Sequence, residues 1–182
     1  VLALAGARNI TRLAEQASEF RPPYLGVLDG EGADALQQAL PSGYAPEIVV
    51  GQEGYIRLAT LDQVDMVLAA QVGAAGLPPS LAAAEAGKDI ALANKESLVL
   101  AGDLFRETCK RTGATVLPVD SEHNALFQGL SGHAMDDVKR MILTASGGPF
   151  RGRDLKSLAT VTREQALKHP NWAMGAKITI DS

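Results

Sequence analysis

The chain is 182 residues long, enough for one large domain or two small ones. Its 17 basic and 21 acidic residues leave a formal charge of −4, which supplies no basic footprint for duplex DNA or an anionic membrane. Hydrophobic residues at 46% against 21% charged describe a folded domain rather than a disordered one, and a single cysteine rules out an internal disulfide framework and a multi-thiolate metal site.

The first two-thirds alternates short apolar runs with helix-length amphipathic runs. Val1–Ala5 reads as a buried strand, with no initiator methionine, charged n-region or cleavage site before it. Thr11–Phe20 follows with Leu13, Ala14, Ala17 and Phe20 on one helical face. Then come strands at Tyr24–Leu28, Glu47–Val50, Met66–Ala70, Ile90–Ala93 and Val116–Val119, with helices at Ala33–Leu40, Leu77–Ala86 and Ser97–Thr112. The last helix carries Leu98, Leu104, Phe105 and Cys109 on its apolar face, which makes Cys109 an inert core residue. The longest apolar stretch, around Met66–Pro79, is broken by Gln71, Gly73, Gly76 and two prolines and falls short of the ~18 residues of a membrane span. Strand–helix–strand repetition of this kind predicts a doubly wound, mostly parallel, Rossmann-like α/β sheet over residues 1–119. After Asp120 the rhythm changes. A helix at His123–Leu130, a strand at Val138–Leu143, a glycine-proline loop and a long polar stretch, Arg151–Met174, predict the start of an α+β connective or catalytic domain over 120–182. Ile178–Ser182 stops as abruptly as Val1 begins, so both ends read as internal to a longer polypeptide.

In doubly wound sheets ligands bind beyond the carboxyl ends of the strands. After the first strand comes Gly6-Ala7-Arg8-Asn9, without the acid that would hold an NAD ribose. Arg8 suits the extra phosphate of NADP or is an ordinary surface arginine. After Ile90–Ala93 comes Asn94-Lys95-Glu96-Ser97, which either places an ammonium at the mouth of the sheet or starts a helix, with Asn94 as its cap. At Asp120-Ser121-Glu122 an extended chain would put both carboxylates on one face, a pair that a hard ion such as Mg²⁺ or Mn²⁺ would join. The competing reading is a helix start capped by Ser121. Ser146-Gly147-Gly148 offers a hydroxyl and open amides, as a phosphate cradle or as a plain loop. His169 and Trp172 lie in a polar segment with Met174, where the aromatic is a substrate lid or a loop anchor. His123 and His133 read as surface or capping residues.

Four segments in one order carry a resemblance. LANKESLV (Leu92–Val99), PVDSEHNALFQ (Pro118–Gln128), TASGGPFR (Thr144–Arg151) and HPNWAMGAKITIDS (His169–Ser182) resemble the signature segments of 1-deoxy-D-xylulose 5-phosphate reductoisomerase. The family converts 1-deoxy-D-xylulose 5-phosphate to 2-C-methyl-D-erythritol 4-phosphate with NADPH and Mg²⁺, Mn²⁺ or Co²⁺, in the non-mevalonate route to isoprenoid precursors. The resemblance implies that this chain is the middle of the family polypeptide, lacking the first strand with its glycine-rich turn and the C-terminal helical domain, and inactive when isolated. It implies that Asp120 and Glu122 are metal ligands, with a third carboxylate beyond Ser182. Lys95, Ser121 and Glu122 would meet the reacting end of the substrate. Ser146, His169 and Ser182 would hold its phosphate, and Trp172 would close over it. Ala7, Arg8, Asn9, Asn94, Lys95, Glu96, Met174 and Gly175 would border NADPH. One departure stands out: the family has glycine immediately before the basic residue of the second-strand turn, whereas here Ala7 takes that place and Gly6 comes one position earlier. A small phosphorylated sugar as the partner, no nucleic acid or membrane, a homodimer and a bacterial cytoplasm (or a plastid) complete what the resemblance implies. Two other readings stand beside it: an NADP-dependent oxidoreductase of homoserine or inositol type, and a noncatalytic nucleotide-binding fragment.

Overall fold

A computed structural model of the chain describes residues 1–170 and 175–181, without the side chains of 177, 178 and 181. The chain divides into two compact units, Val1–Asp120 and Ser121–Ser182. The first unit runs β1 (Ala3–Ala5), α1 (Ile10–Phe20), β2 (Tyr24–Val27), α2 (Gly30–Ala39), β3 (Glu47–Val50), α3 (Gly51–Ala59), β4 (Met66–Ala69), α4 (Leu77–Glu85), β5 (Asp89–Leu92), α5 (Lys95–Thr112) and β6 (Val116–Pro118). All pairings are parallel, in two three-stranded sheets of order β1-β2-β3 and β4-β5-β6. The doubly wound α/β architecture thus stands, with β1 and β4 as edges of separate sheets.

Each sheet has its own core. Leu25 and Val27 point to one face of β2 and pack with Leu13, Ala14 and Ala17 of α1 and Leu36 of α2. Gly26 faces the other way, where a Cβ would lie 2.7 Å from Leu58 and 3.3 Å from Tyr55 of α3. Helices therefore cover both faces of the first sheet. Around the second sheet Ile90 and Leu92 pack with Ala83 and Ala84 of α4 and Phe105 of α5, and Ala59 brings the end of α3 into the same cluster.

Helix starts and faces depart from the sequence pattern for local reasons. α2 begins at Gly30, ahead of the apolar period, because Asp29 accepts from Gly32 N at 2.8 Å and caps it. α3 escaped the pattern because two glycines depress its helix propensity; Gly54 is needed where the helix lies on β3, its missing Cβ position 3.1 Å from the Val49 backbone. α5 does not keep the expected face. Its backbone breaks at Ala101 (φ −145°, ψ 35°); Leu98 and Leu104 turn outward, Phe105 is buried as its spacing requires, and Ser97 and Thr108 are buried with it. Cys109 packs against this core, and burial pushes its thiol pKa up.

The second unit contains α6 (Ser121–Leu130), α7 (Arg163–Ala166) and α8 (Ala176–Asp181), with 3-10 turns at Met135–Asp137 and Leu155–Thr160. The expected strand at Val138–Leu143 is not formed. A strand exists only by pairing its backbone with a neighbour, and among the described residues of this unit there is no strand to pair with, so Met141, Ile142 and Leu143 stand more than half exposed. Among the described residues no helix is long and apolar enough to cross a membrane.

The break in α5 has a measurable consequence. Phe105→Ala should lower stability by about 3–5 kcal/mol, whereas Leu104→Ala should cost less than about 1 kcal/mol, read by urea denaturation. Equal losses at the two positions would restore an uninterrupted apolar face.

Candidate functional site at the carboxyl ends of the strands

Beyond β1 the chain turns through Gly6, Ala7, Arg8 and Asn9. Gly6 N donates to Gly26 O at 3.0 Å, and the Tyr55 hydroxyl donates to Gly6 O at 3.2 Å, so the turn is tied to β2 and α3. Burial, and secondarily the negative Asp29, raise the Tyr55 pKa, which keeps that donor protonated at neutral pH. Asn9 caps α1 by accepting from Arg12 N at 3.0 Å. Ala7 and Arg8 are exposed. Arg21 is the one non-glycine residue with positive φ among the described residues, so Ala7 sits on ordinary backbone and needs no glycine. An exposed guanidinium on an acid-free turn fits the 2′-phosphate of NADP.

At the end of β5, Asn94 is 3% exposed and caps α5. Its Oδ1 accepts from Ser97 N and from Ser97 Oγ, both at 2.9 Å. Its Nδ2 donates to Gly73 O at 2.9 Å and to Gln71 O, in the loop that follows β4. The capping alternative is therefore realised, and more than capping with it. Lys95 is the first residue of α5 and is exposed; Glu96 is half-buried in the first turn. In the sequence the loop partners Gln71, Gly73 and Gly76 read only as breaks in an apolar stretch. Their signal in the sequence is Gly76, which stands where a Cβ would lie 3.1 Å from Gln71 O, the kind of close approach that calls for glycine.

The segment after β6 is not extended. β6 ends at Pro118, Asp120 stands in a bend, and Ser121 is the first residue of α6 with Glu122 in its first turn. The two-residue alternation that would align both carboxylates on a strand face therefore does not apply, because the helix begins between them. The Ser121 hydroxyl donates to Glu122 Oε1 at 3.0 Å. Asp120 and Glu122, two positions apart in sequence, carry hard oxygen donors, and Mg²⁺ characteristically takes one or two carboxylates with water and substrate oxygens. No group of three or more His, Cys, Asp or Glu residues gathers among the described residues. The donor chemistry fits a hard divalent ion held partly by this chain.

In the second unit His169 is buried, and its Nε2 lies 3.2 Å from Ser146 Oγ. Gly148 N donates to the same hydroxyl at 3.3 Å. Gly147 and Gly148 have φ of 81° and 65°, conformations that favour glycine. A hydroxyl, an imidazole and a bent glycine backbone thus meet at one point, across 23 residues of sequence. Such a group suits a phosphate. Gly175 is exposed ahead of α8, where its carbonyl accepts from Thr179 N and Thr179 Oγ1, both at 3.1 Å. Trp172, Met174 and Ser182 lie outside the described residues. His123 and His133 are exposed.

Comparison with known proteins follows the same two parts of the chain. Residues 1–102 match the family described as 1-deoxy-D-xylulose 5-phosphate reductoisomerase, and residues 116–182 match the C-terminal domain of the same enzyme. The whole chain is 65% identical to the 1-deoxy-D-xylulose 5-phosphate reductoisomerase of Oleidesulfovibrio alaskensis and 63% identical to that of Nitratidesulfovibrio vulgaris, covering 45% of each. Among solved structures, the Zymomonas mobilis reductoisomerase in complex with NADPH matches 100% of the chain at 44% identity and a TM-score of 0.87, over 46% of its own length. A DOX-P reductoisomerase in complex with NADPH, fosmidomycin and magnesium matches 98% of the chain at 44% identity and a TM-score of 0.86, again over 46% of its length. The chain spans less than half the length of these relatives.

The Gly148–Ser146 hydrogen bond yields a direct check. Ser146→Ala removes the acceptor of the Gly148 amide, which should lose about tenfold in protection against hydrogen exchange. Unchanged protection at Gly148 would mean that the hydroxyl does not organise the loop.

Proposed function

The chain belongs to the 1-deoxy-D-xylulose 5-phosphate reductoisomerase family, and from that premise we propose that the protein it is part of converts 1-deoxy-D-xylulose 5-phosphate to 2-C-methyl-D-erythritol 4-phosphate. The observation that carries the reading is 65% identity over the entire chain to a reductoisomerase, in a chain that contains Asn94–Ser97, Asp120–Glu122, Ser146 and His169. Residues 1–119 form the NADPH-binding domain and 120–182 the catalytic and connective one. When bound, NADPH supplies the hydride for reduction, and Mg²⁺ or Mn²⁺ supplies Lewis acidity toward the substrate oxygens.

The roles of the side chains follow from their chemistry. Arg8, exposed on an acid-free turn with Ala7 and Asn9, offers its guanidinium to the 2′-phosphate. Lys95 at the head of α5 brings an ammonium to the reacting end of the substrate, where it orients an oxygen and stabilises negative charge. The Asn94–Glu96 segment borders the cofactor. Asp120 and Glu122 hold the metal, and Ser121 and Glu122 meet the substrate. Ser146 and His169 bind the phosphate by hydrogen bonds, with Ser182 as a further contact. In this reading Trp172 would close over the substrate and exclude water, Met174 would border the nicotinamide, and Gly175 would border the cofactor. The reading carries with it a homodimeric enzyme of a bacterial cytoplasm, of which only the bacterial setting draws support from the relatives.

A polypeptide carrying this chain and extended to the length of its relatives should oxidise NADPH only when 1-deoxy-D-xylulose 5-phosphate and Mn²⁺ are both present. Asp120→Asn should lower turnover on the order of 100-fold or more, and chelation should abolish it. A folded protein that binds NADPH and never consumes it with this substrate sinks the reading.

A further inference from the structure

Asn94 stands among the residues expected to border a cofactor, yet its side chain has nothing left to offer one. A carboxamide has one oxygen with two lone pairs and one NH₂ with two donors. The oxygen is used twice, by the amide and hydroxyl of Ser97, and the NH₂ is used twice, by the carbonyls of Gln71 and Gly73. The residue is 3% exposed and Ser97 is fully buried. The loop closes around it: a Cβ on Gly76 would lie 2.5 Å from Asn94 Nδ2 and 3.1 Å from Gln71 O. The far side of the loop is held as well, by Ser80 Oγ donating to Gly76 O at 2.6 Å.

We propose that Asn94 is a positioning residue whose saturated carboxamide clamps the β4–α4 loop, Gln71 to Gly76, to the head of α5, and that its side chain acts on cofactor and substrate only through that loop and the neighbouring Lys95. The consequence for ligand binding rests on the NADPH-dependent reading above; the clamp itself does not. Simple capping does not account for the choice of residue, because aspartate caps a helix as well as asparagine does. Aspartate would keep the acceptor for Ser97 and lose both donors, setting a negative oxygen against the Gln71 and Gly73 carbonyls. Asn94→Asp therefore separates the clamp from the cap. Gly76→Ala attacks the same contact from the loop side, and leaves residue 94 unaltered.

The test is hydrogen exchange by mass spectrometry on the ligand-free full-length protein, paired with NADPH affinity, each taken well below the melting temperature of every variant. Under those conditions a merely less stable fold leaves the affinity of the folded molecules unchanged. Asn94→Asp should speed exchange across residues 72–76 by about tenfold while the first turns of α5 stay within about twofold of wild type. NADPH affinity should fall about tenfold, the scale on which supporting residues act on a site. Gly76→Ala alone should reproduce both effects, and the double variant should be no worse than the stronger single one. Weaker NADPH binding by Asn94→Asp with unchanged loop exchange would overturn the proposal in favour of direct ligand contact. No change in either measurement would reduce Asn94 to a cap. If Asn94→Asp fails to fold, Gly76→Ala decides by the same two readouts. If wild type binds no NADPH, the proposed function falls, while loop exchange still decides the clamp.

Discussion

A parallel sheet covered by helices on both faces has no room for unpaired polar side chains except at the ends of its strands, and the rest of this structure depends on that constraint. β2 illustrates it residue by residue. Leu25 and Val27 fill the α1–α2 side, and Gly26 gives α3 its seat on the other. With both faces of the first sheet occupied, its chemistry is confined to the edge where strands hand over to helices, and the second sheet presents its polar groups at the same edge. Arg8 after β1, the Gln71–Gly76 loop after β4, Lys95 after β5 and Asp120 after β6 all stand at carboxyl ends.

The same edge is where the helices begin, and their unsatisfied amides need acceptors. Asn9, Asp29 and Asn94 supply them for α1, α2 and α5. Two of these caps sit directly beside a cation, Arg8 before α1 and Lys95 at the start of α5. A helix start that is fixed by its cap also fixes the stem of the neighbouring side chain. Stability and preorganisation are in this way supplied by the same hydrogen bonds, which is how a site on loops acquires the precision of a site on rigid elements.

The second unit solves a different problem. It carries no strand among the described residues, so its polar cluster rests on turn geometry. Gly147 and Gly148 take the left-handed backbone that brings the Gly148 amide onto the Ser146 hydroxyl, and His169 comes to the same oxygen. Membership of the reductoisomerase family accounts for the company these residues keep, and the chain holds less than half the length over which its relatives are built.

Much of the fold was legible in the sequence because burial is periodic. All six strands of the first unit fall where aliphatic runs occur, to within two residues, and α1 buries Leu13, Ala14 and Ala17 as their spacing requires, while Phe20 at its last turn stands half exposed. The segments around Lys95, Asp120, Ser146 and His169 stood out by residue type and order, which left each open between a functional role and a plain cap or loop. What periodicity could not supply came from packing. α3 exists because glycines let a helix lie directly against strands, although glycine argues against a helix locally. The outward turn of Leu98 and Leu104 follows from the break at Ala101, and Val138–Leu143 lacks a strand to pair with in its own unit. The partners of Asn94 and the meeting of Ser146 with His169, both more than 20 residues apart, belong to the same class. Local sequence determines which face a segment buries and which groups it carries; only the tertiary structure decides which distant backbone carbonyls and hydroxyls those groups meet, because a hydrogen bond depends on position to a few tenths of an ångström and a hydrophobic pattern does not.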